Sequence, residues 1–161
     1  MVAILAGGLA MRLRPSGYTG PKALIQVAGR PFLFHLLDLL RMQEVRRLVI
    51  CVGHLGDQIV SAIGRGREFG VSVDYSFDGE LLLGTGGALK KAAPLLGEDF
   101  MVLNGDTYLN CDYSAAYAAF VASGKNGLMC VYRNENRGEP SNVVFSNGRN
   151  SPTIRRTTQR T

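Results

Sequence analysis

The sequence predicts an α/β protein in which a mainly parallel sheet is packed between two layers of helices. Short apolar segments alternate along the chain with segments that have helical spacing, and this order is typical of crossover units. Several strand candidates are uninterrupted apolar runs, as expected for strands buried on both faces. Glycine or polar residues follow these runs, at the strand ends where such sheets bind their ligands.

The first half of the chain supplies two strands and two helices. "VAILA" at 2–6 is a short apolar strand. "PFLFHLLDLLRMQ" at 31–43 has apolar residues at helical spacing, with Pro31 suited to a first turn. "RLVICVG" at 47–53 is a buried strand, and "LGDQIVSAIGRGREFG" at 55–70 begins as a helix and ends among glycines.

The next four elements continue the alternation. "VSVDYSF" at 71–77 alternates as a strand, and "TGGALKKAAPLL" at 85–96 has the character of a helix. "FMVLNGD" at 100–106 is another buried strand. "YSAAYAAFVASG" at 113–124 is an Ala-rich helix.

Caps and turn signals define the later elements. Asp112 is placed to cap the start of the Ala-rich helix and Gly124 to cap its end. "GLMCVYR" at 127–133 predicts a further strand. "SNVVFSNGR" at 141–149 predicts a strand that ends in a hairpin signal.

Composition and charge narrow the class of protein. The 161 residues are 46% apolar, which indicates a globular chain. No apolar run approaches a membrane span and no secretory signal is visible, so we expect a cytoplasmic protein that does not bind membranes. The net charge is +5, but four arginines between 149 and 160 account for most of it. We therefore expect one domain over 1–149, a disordered basic tail over 150–161, and no nucleic-acid partner.

The loop after the first strand has the composition of an anion site. Gly7 and Gly8 are followed by Arg12, Arg14 and Lys22 before any acidic residue appears. Phosphate binding needs this combination of close backbone amides, a guanidinium and an ammonium group. A Walker P-loop and a dinucleotide fingerprint are excluded, because the glycine spacing and the required lysine-hydroxyl order are missing.

Three blocks in order carry a family resemblance. "LAGGLAMRLRP" with "PKALI", then "LLGTGGALKKA", then "VLNGD" resemble the signature blocks of the sugar-phosphate nucleotidylyltransferases over residues 1–149. The resemblance implies a Rossmann-like, GT-A-like α/β/α fold. It is greatest to the bacterial heptose 1-phosphate guanylyltransferase type, with the muramate 1-phosphate uridylyltransferase type as the alternative.

The resemblance implies transfer of a nucleoside monophosphate from an NTP, GTP being favoured, to a sugar 1-phosphate, with release of pyrophosphate. Arg12 would hold the departing pyrophosphate and Lys22 would bridge the two substrates' phosphates. Asp106 ends an apolar strand, where a carboxylate needs a cation or solvent, and it fits as a Mg²⁺ ligand. The alternatives are solvated surface cations and an aspartate that caps a turn.

The nucleotide itself is expected on the glycine-rich segments. Ala6, Gly7 and Gly8 would offer backbone amides, while Gly84 and Thr85 would place backbone groups near the base. Glu80 would accept hydrogen bonds from guanine, unless it is only an exposed loop residue. Ala10 and Met11 depart from the family's glycine and threonine, which bears on the rate more than on the fold.

The segment after residue 149 departs from the resemblance. Family members continue with a second metal-binding aspartate and most of the sugar pocket, whereas "NSPTIRRTTQRT" offers one large aliphatic residue. We therefore expect a truncated chain. An inactive fragment that only binds nucleotide is the alternative to an active enzyme, and an adaptor with a basic tail is a third hypothesis. An unpaired sheet edge would favour homo-oligomers.

Overall fold

The structure is a computed structural model that describes residues 1–8 and 17–131, together with the backbone of 143–144 and 153–154. The strands in this part of the chain are β1 (Val2–Leu5), β2 (Gln26–Val27), β3 (Arg30–Pro31), β4 (Arg47–Val52), β5 (Ser72–Phe77), β6 (Met101–Asn104), β7 (Val143–Val144) and β8 (Thr153–Ile154). The α-helices are α1 (Phe32–Met42), α2 (Gly56–Ile63), α3 (Gly84–Leu96) and α4 (Tyr113–Ser123).

Four strands form a parallel sheet in the order β5-β4-β1-β6. Val2 lies between Leu48 on β4 and Met101 on β6, which sets the register of the central strand. The helices between the strands provide the crossovers that parallel pairing requires. The predicted α/β class with a mainly parallel sheet is confirmed.

The sheet is covered by helices on both faces. On one face, the fully buried leucines of α1 pack with β1 and β4; the buried set includes Ile4, Leu33, Leu36, Leu37, Leu40 and Ile50. Burial of each such side chain contributes about 1.5–3 kcal/mol. On the other face, α3 packs through Ala88, Ala92 and Leu96 onto Ala3 and Val49. The small alanines let α3 lie close to the sheet.

The chain divides into two compact units, Met1–Tyr117 and Ala118–Thr161. The first unit contains the parallel sheet. The second contains the antiparallel pair of β7 and β8, in which Val143 faces Ile154. The predicted tail thus contributes β8, while its other residues lie outside the described part. The predicted boundary at residue 149 stays a prediction.

Most predicted elements are confirmed within two residues. The strand predicted over 100–106 forms as β6 but is not buried as predicted, because it lies at the edge of the described sheet and Val102 is 41% exposed. One predicted strand is wrong. Asp112 caps α4 as predicted, since its Oδ1 accepts a hydrogen bond of 2.8 Å from the Ala115 amide. Gly124 ends the helix with a φ of 58°. The strand predicted over 127–133 is absent from its described residues, 127–131, whose side chains Leu128, Met129 and Val131 are about half exposed.

No helix within the described ranges has the length and apolarity needed to cross a membrane.

Candidate functional site

The carboxyl ends of the four parallel strands meet at one edge of the sheet. The segments that follow them are Ala6–Gly8 after β1, Gly53–His54 after β4, Asp78–Gly79 after β5 and Gly105–Asp106 after β6. A cavity of about 380 Å³ opens at this edge and is lined by residues from three of these four segments. The strand ends are thus where the sequence predicted the ligand site.

Glycines let the ends of β1 and β4 approach closely. A Cβ atom on Gly7 would lie 3.1 Å from the Gly53 backbone nitrogen, and one on Gly53 would lie 3.0 Å from the Gly7 oxygen. Gly8 is different, because among the described residues other than its chain neighbours no heavy atom lies within 4 Å of the position of its Cβ. The backbone therefore turns from a crowded contact at Gly7 to an open position at Gly8.

The backbone amides after β1 differ in their availability. The Ala6 amide donates a 2.8 Å hydrogen bond to the Cys51 carbonyl oxygen, so it is engaged within the sheet. Ala6 lines the cavity, but the prediction that its amide is offered to a nucleotide is wrong for this conformation. Within the described part of the chain, the Gly7 and Gly8 amides have no hydrogen-bond partner. As far as the described residues extend, these two N–H groups are therefore available to an anion.

A 3₁₀ turn, Lys22–Leu24, places Lys22 at the cavity. Ala23 is buried in the core with 3% of its surface exposed, and the Leu24 amide donates to the Pro21 oxygen at 2.9 Å. These contacts fix the backbone on either side of the lysine. The Lys22 side chain extends to Asp106, which follows β6, and its Nζ lies 2.5 Å from Asp106 Oδ2.

Asp106 is held as a carboxylate by its neighbours. Partial burial alone would raise its pKa, but the hydrogen bond and positive charge of Lys22 outweigh burial and lower the pKa below its ordinary value. Thr107 Oγ1 also donates to Asp106 Oδ1 at 3.3 Å. We call Lys22, Gly105 and Asp106 the ion-pair side of the cavity. Its two charged side chains are still 45% and 37% exposed, so both remain accessible to a ligand.

The start of α3 and the loop before it form a second part of the cavity lining. We call Asp78, Leu82, Gly84 and Thr85 the loop side of the cavity; all four line it. Gly84 has a φ of 67°, which glycine adopts without strain. The positive end of the α3 dipole lies here. The structure thus brings Gly84 and Thr85 to the same cavity as Lys22 and Asp106.

Asp78 is the residue that the sequence reasoning missed. It comes directly after β5, lines the cavity, and its Oδ2 accepts a 3.3 Å hydrogen bond from the Leu83 amide. Glu80, the predicted base-binding acid, is exposed and does not line the cavity. The signal that identifies Asp78 is its position at a strand end, the same rule that identified Asp106.

The floor of the cavity is apolar. Cys51 lies there with 1% of its surface exposed, and its thiol is within 4.0 Å of the Ala88 carbonyl oxygen. Burial, together with the negative charge of Asp78, raises the pKa of Cys51 to about 11. A thiol with this pKa is protonated at neutral pH, so Cys51 forms part of the buried floor and is a poor nucleophile.

Two further predictions concern cationic residues. Arg12 lies outside the described residues, so its predicted role stays a prediction. The simplest interpretation of Lys90 and Lys91 in the sequence is a solvated helix face. Both are exposed on α3, and Lys91 Nζ in addition donates a 3.1 Å hydrogen bond to the Asp78 carbonyl oxygen.

The carboxylate of Asp106 fits a magnesium ion that takes most of its ligands from phosphates and water. Among the described residues there is no cluster of three or more His, Cys, Asp or Glu side chains that could hold a metal. Asp106 is the carboxylate on the ion-pair side of the cavity, and Asp78, the other acid that lines it, lies on the loop side. Mg²⁺ commonly uses one or two carboxylates and takes its other ligands from phosphates and water. The site therefore fits Mg²⁺ carried by a phosphorylated ligand better than a metal held by the protein alone.

A parallel sheet flanked by helices, with a cavity at its carboxyl edge, defines the class of α/β proteins that bind ligands at their strand ends. The model of the nucleotidyl transferase family matches residues 1–147, and the chain belongs to this family. The predicted family membership is confirmed.

Relatives and a solved structure agree with this assignment. The chain is 40% identical over 115 residues to N-acetylmuramate alpha-1-phosphate uridylyltransferase of Neisseria meningitidis serogroup B, and 40% identical over 114 residues to mannose-1-phosphate guanyltransferase of Aspergillus oryzae. These matches cover 71% and 68% of the chain but 50% and 30% of the relatives. The crystal structure of HddC from Yersinia pseudotuberculosis complexed with GMP-PN matches with a TM-score of 0.63 and 36% identity, covering 76% of this chain and 52% of that one. The chain therefore spans about half the length of these proteins or less.

Proposed function

We propose that the chain carries the nucleotide-binding site of a sugar-1-phosphate nucleotidylyltransferase. This enzyme would transfer the nucleoside monophosphate of an NTP, GTP being favoured, to a sugar 1-phosphate, heptose 1-phosphate being favoured. One observation carries the proposal. The Lys22–Asp106 pair, two free glycine amides and the start of α3 surround one cavity at the sheet edge.

The reaction needs charge neutralisation more than acid–base chemistry. An oxygen of the sugar 1-phosphate attacks the α-phosphorus of the NTP and forms a new P–O bond. The bond from the α-phosphorus to the bridging oxygen breaks, and pyrophosphate leaves with the electron pair. The attacking oxygen is already anionic, so no strong base is required. Both substrates are negatively charged, and bringing them together requires cations and fixed N–H donors.

Each described residue at the cavity has a role in this scheme. The Gly7 and Gly8 amides would donate to phosphate oxygens of the nucleotide. The Lys22 ammonium has three donors, so it would bind the transferred phosphate and the sugar phosphate while it remains near Asp106. Gly84 and Thr85 would position the base with backbone groups. Arg12 would bind the departing pyrophosphate, as the family resemblance implies.

Asp106 would hold Mg²⁺ together with the phosphates of the NTP. The ion would supply positive charge to the phosphate oxygens. The part that this chain plays is to keep Asp106 ionised, which Lys22 and Thr107 do by lowering its pKa. It also keeps the carboxylate partly exposed at the mouth of the cavity.

The carboxylate of Asp78 favours guanine over uracil as the base of the bound nucleotide. Guanine presents two adjacent N–H donors on its Watson–Crick edge, and a carboxylate accepts from both. Uracil presents one N–H between two carbonyl oxygens, which a carboxylate repels. The co-crystallisation of the similar HddC with GMP-PN supports the same choice. The uridylyltransferase among the relatives makes UTP the second candidate.

The test is pyrophosphate release with each NTP and a panel of sugar 1-phosphates, with Mg²⁺ and with EDTA. We expect release that depends on Mg²⁺ and is greatest with GTP. Nucleotide binding by isothermal titration is measured in parallel, because the chain spans half the length of its relatives or less. Binding without release would support only a nucleotide-binding chain, and the absence of both would refute the proposal.

A further inference from the structure

The loop side of the cavity depends on one residue for its shape. Asp78 is bonded in three directions: its amide donates to the Val52 oxygen at 2.9 Å, its Oδ2 accepts from the Leu83 amide at 3.3 Å, and its carbonyl oxygen accepts from Lys91 at 3.1 Å. The first bond continues the sheet and the second closes the loop on itself. The third alone connects the loop to a side chain of α3.

Helix α3 is a rigid support for this third bond. It is buried against the sheet at Ala88, Ala92 and Leu96, each at most 7% exposed. Lys91 lies between these positions on an exposed part of the helix, and its Nζ would be 3.7 Å from a Cβ atom on Gly79. The ammonium therefore lies beside the first two residues of the loop.

Lys91 does not line the cavity. Asp78 and Leu82, which lie on either side of the exposed part of the loop, do line it. Between them, Gly79, Glu80 and Leu81 are exposed, and Leu81 keeps 79% of its surface accessible. A loop with so little burial is ordered mainly by its hydrogen bonds. Loss of the Lys91 bond would release the Asp78 carbonyl group to water and let the loop sample other conformations.

We infer that Lys91 is a positioning residue, which fixes the loop over 78–83 through Asp78 and so sets the affinity of the cavity for the base end of a nucleotide. This inference rests on the proposed function. A nucleotide that binds a mobile loop must order it, and that cost appears in the dissociation constant. The phosphate-transfer groups lie on the ion-pair side, so the loss of Lys91 acts on KM and leaves kcat unchanged.

The experiment compares Lys91→Ala with Lys91→Arg and Lys90→Ala. Lys90 is a matched control, because it is an exposed lysine on the same helix for which no hydrogen bond or ion pair is found in the described part of the chain. For Lys91→Ala we expect the dissociation constant of Mg²⁺-GTP to rise roughly threefold to tenfold, as for loss of one exposed hydrogen bond. Lys91→Arg restores a donor and should bind nearly as the unchanged chain does. Lys90→Ala should show no change, and all three melting temperatures should stay close together.

A second measurement does not depend on nucleotide. Endoproteinase Glu-C cleaves after glutamate, and Glu80 lies in the exposed loop, so the rate of cleavage after Glu80 reports the order of the loop. We expect faster cleavage in Lys91→Ala and unchanged cleavage in Lys90→Ala. If the unchanged chain binds no nucleotide, the proposed function fails, while the cleavage rates still decide whether Lys91 orders the loop. Equal cleavage in the two alanine variants overturns the inference, and so does faster cleavage without loss of affinity in a chain that binds GTP.

Discussion

The two sides of the cavity are lined by different kinds of chemical group. The ion-pair side joins two opposite charges that are 84 residues apart in the chain, at a distance of 2.5 Å. The loop side has one acid, one apolar side chain and the backbone of Gly84 and Thr85, all within eight residues. Charged groups suit a region where phosphate charge develops, and backbone groups with a single carboxylate suit recognition of a base. The proposed function divides the reaction and the selection of the nucleotide between these two sides, and substitutions can test this division.

The largest effect is expected from Lys22→Ala, which removes the cation of the ion-pair side. A charge-assisted hydrogen bond contributes about 1.5–3 kcal/mol, so turnover should fall roughly ten- to a hundredfold. Stability should change little, because the pair is partly exposed. Steady-state kinetics and thermal melting provide the measurements, with Lys90→Ala as the control. Unchanged turnover in Lys22→Ala would show that Lys22 has no role in the reaction.

Asp106→Asn tests the metal on the same side. The amide keeps the shape of the side chain and loses the charge that Mg²⁺ requires. We expect Mg²⁺ to raise the affinity for NTP in the unchanged chain, and this gain to be roughly tenfold, or about 1.4 kcal/mol, smaller in the variant. Isothermal titration with and without Mg²⁺ measures it. Asp99→Asn, at an exposed aspartate away from the cavity, is the control. An identical Mg²⁺ effect in Asp106→Asn would exclude Asp106 as a ligand.

Asp78→Asn tests whether the loop side selects the base of the nucleotide. One N–H of guanine loses its acceptor, and the clash with the carbonyl oxygens of uracil is relieved. The ratio of GTP to UTP affinity should therefore fall roughly threefold to tenfold. Competitive binding of the two nucleotides measures this ratio. Glu80→Gln is the matched control, since Glu80 is exposed in the same loop. If Glu80→Gln changes the ratio and Asp78→Asn does not, Glu80 is the residue that binds the base.

The smallest effect is on stability in acid. The pKa of Asp106 is lower in the folded chain than its ordinary value of 3.8, so the unfolded chain binds more protons as the pH falls. The stabilisation is present above the ordinary pKa and is lost as the pH falls through the folded value. Because the Asp106 side chain is partly exposed, solvent screens the pair and we expect at most about 0.5 kcal/mol.

Urea unfolding between pH 6 and pH 3 should show this loss in the unchanged chain and in Asp99→Asn. It should be absent from Asp106→Asn. A steeper loss in Asp106→Asn than in the unchanged chain would mean that Asp106 is not stabilised as a carboxylate.

The sheet and its flanking helices could be predicted because their signals are local. The apolar runs of β1 and β4 end at Gly7 and Gly53, and α1 has leucines at helical spacing, so their bounds lie within two residues of the predicted ones. The apolar segment at 127–131 carries the same kind of signal without forming a strand. β-propensity is expressed only where a neighbouring strand pairs with the segment, and the sequence does not specify that neighbour.

The candidate site could be predicted at the level of strand ends but not of side chains. Lys22 and Asp106 lie at one cavity as expected, because parallel strands bring their carboxyl ends together. The choice between Asp78 and Glu80 depends on which way a loop folds, and the contact of Lys91 depends on how α3 lies over the sheet. Neither is visible in sequence spacing. The roles of Arg12 and Mg²⁺, the cytoplasmic location and association through a sheet edge stay predictions.

The register of β1 has a consequence for synthesis of the chain. β1 leaves the ribosome before both of its partners, because β4 and β6 begin at residues 47 and 101. At about 5–20 residues per second, the central strand waits roughly 5–20 seconds for its second neighbour. During that time an apolar segment made for burial on both faces has an unpaired edge. The Lys22–Asp106 pair forms only after that neighbour is in place, so the anion site is among the last parts of the first unit to be completed.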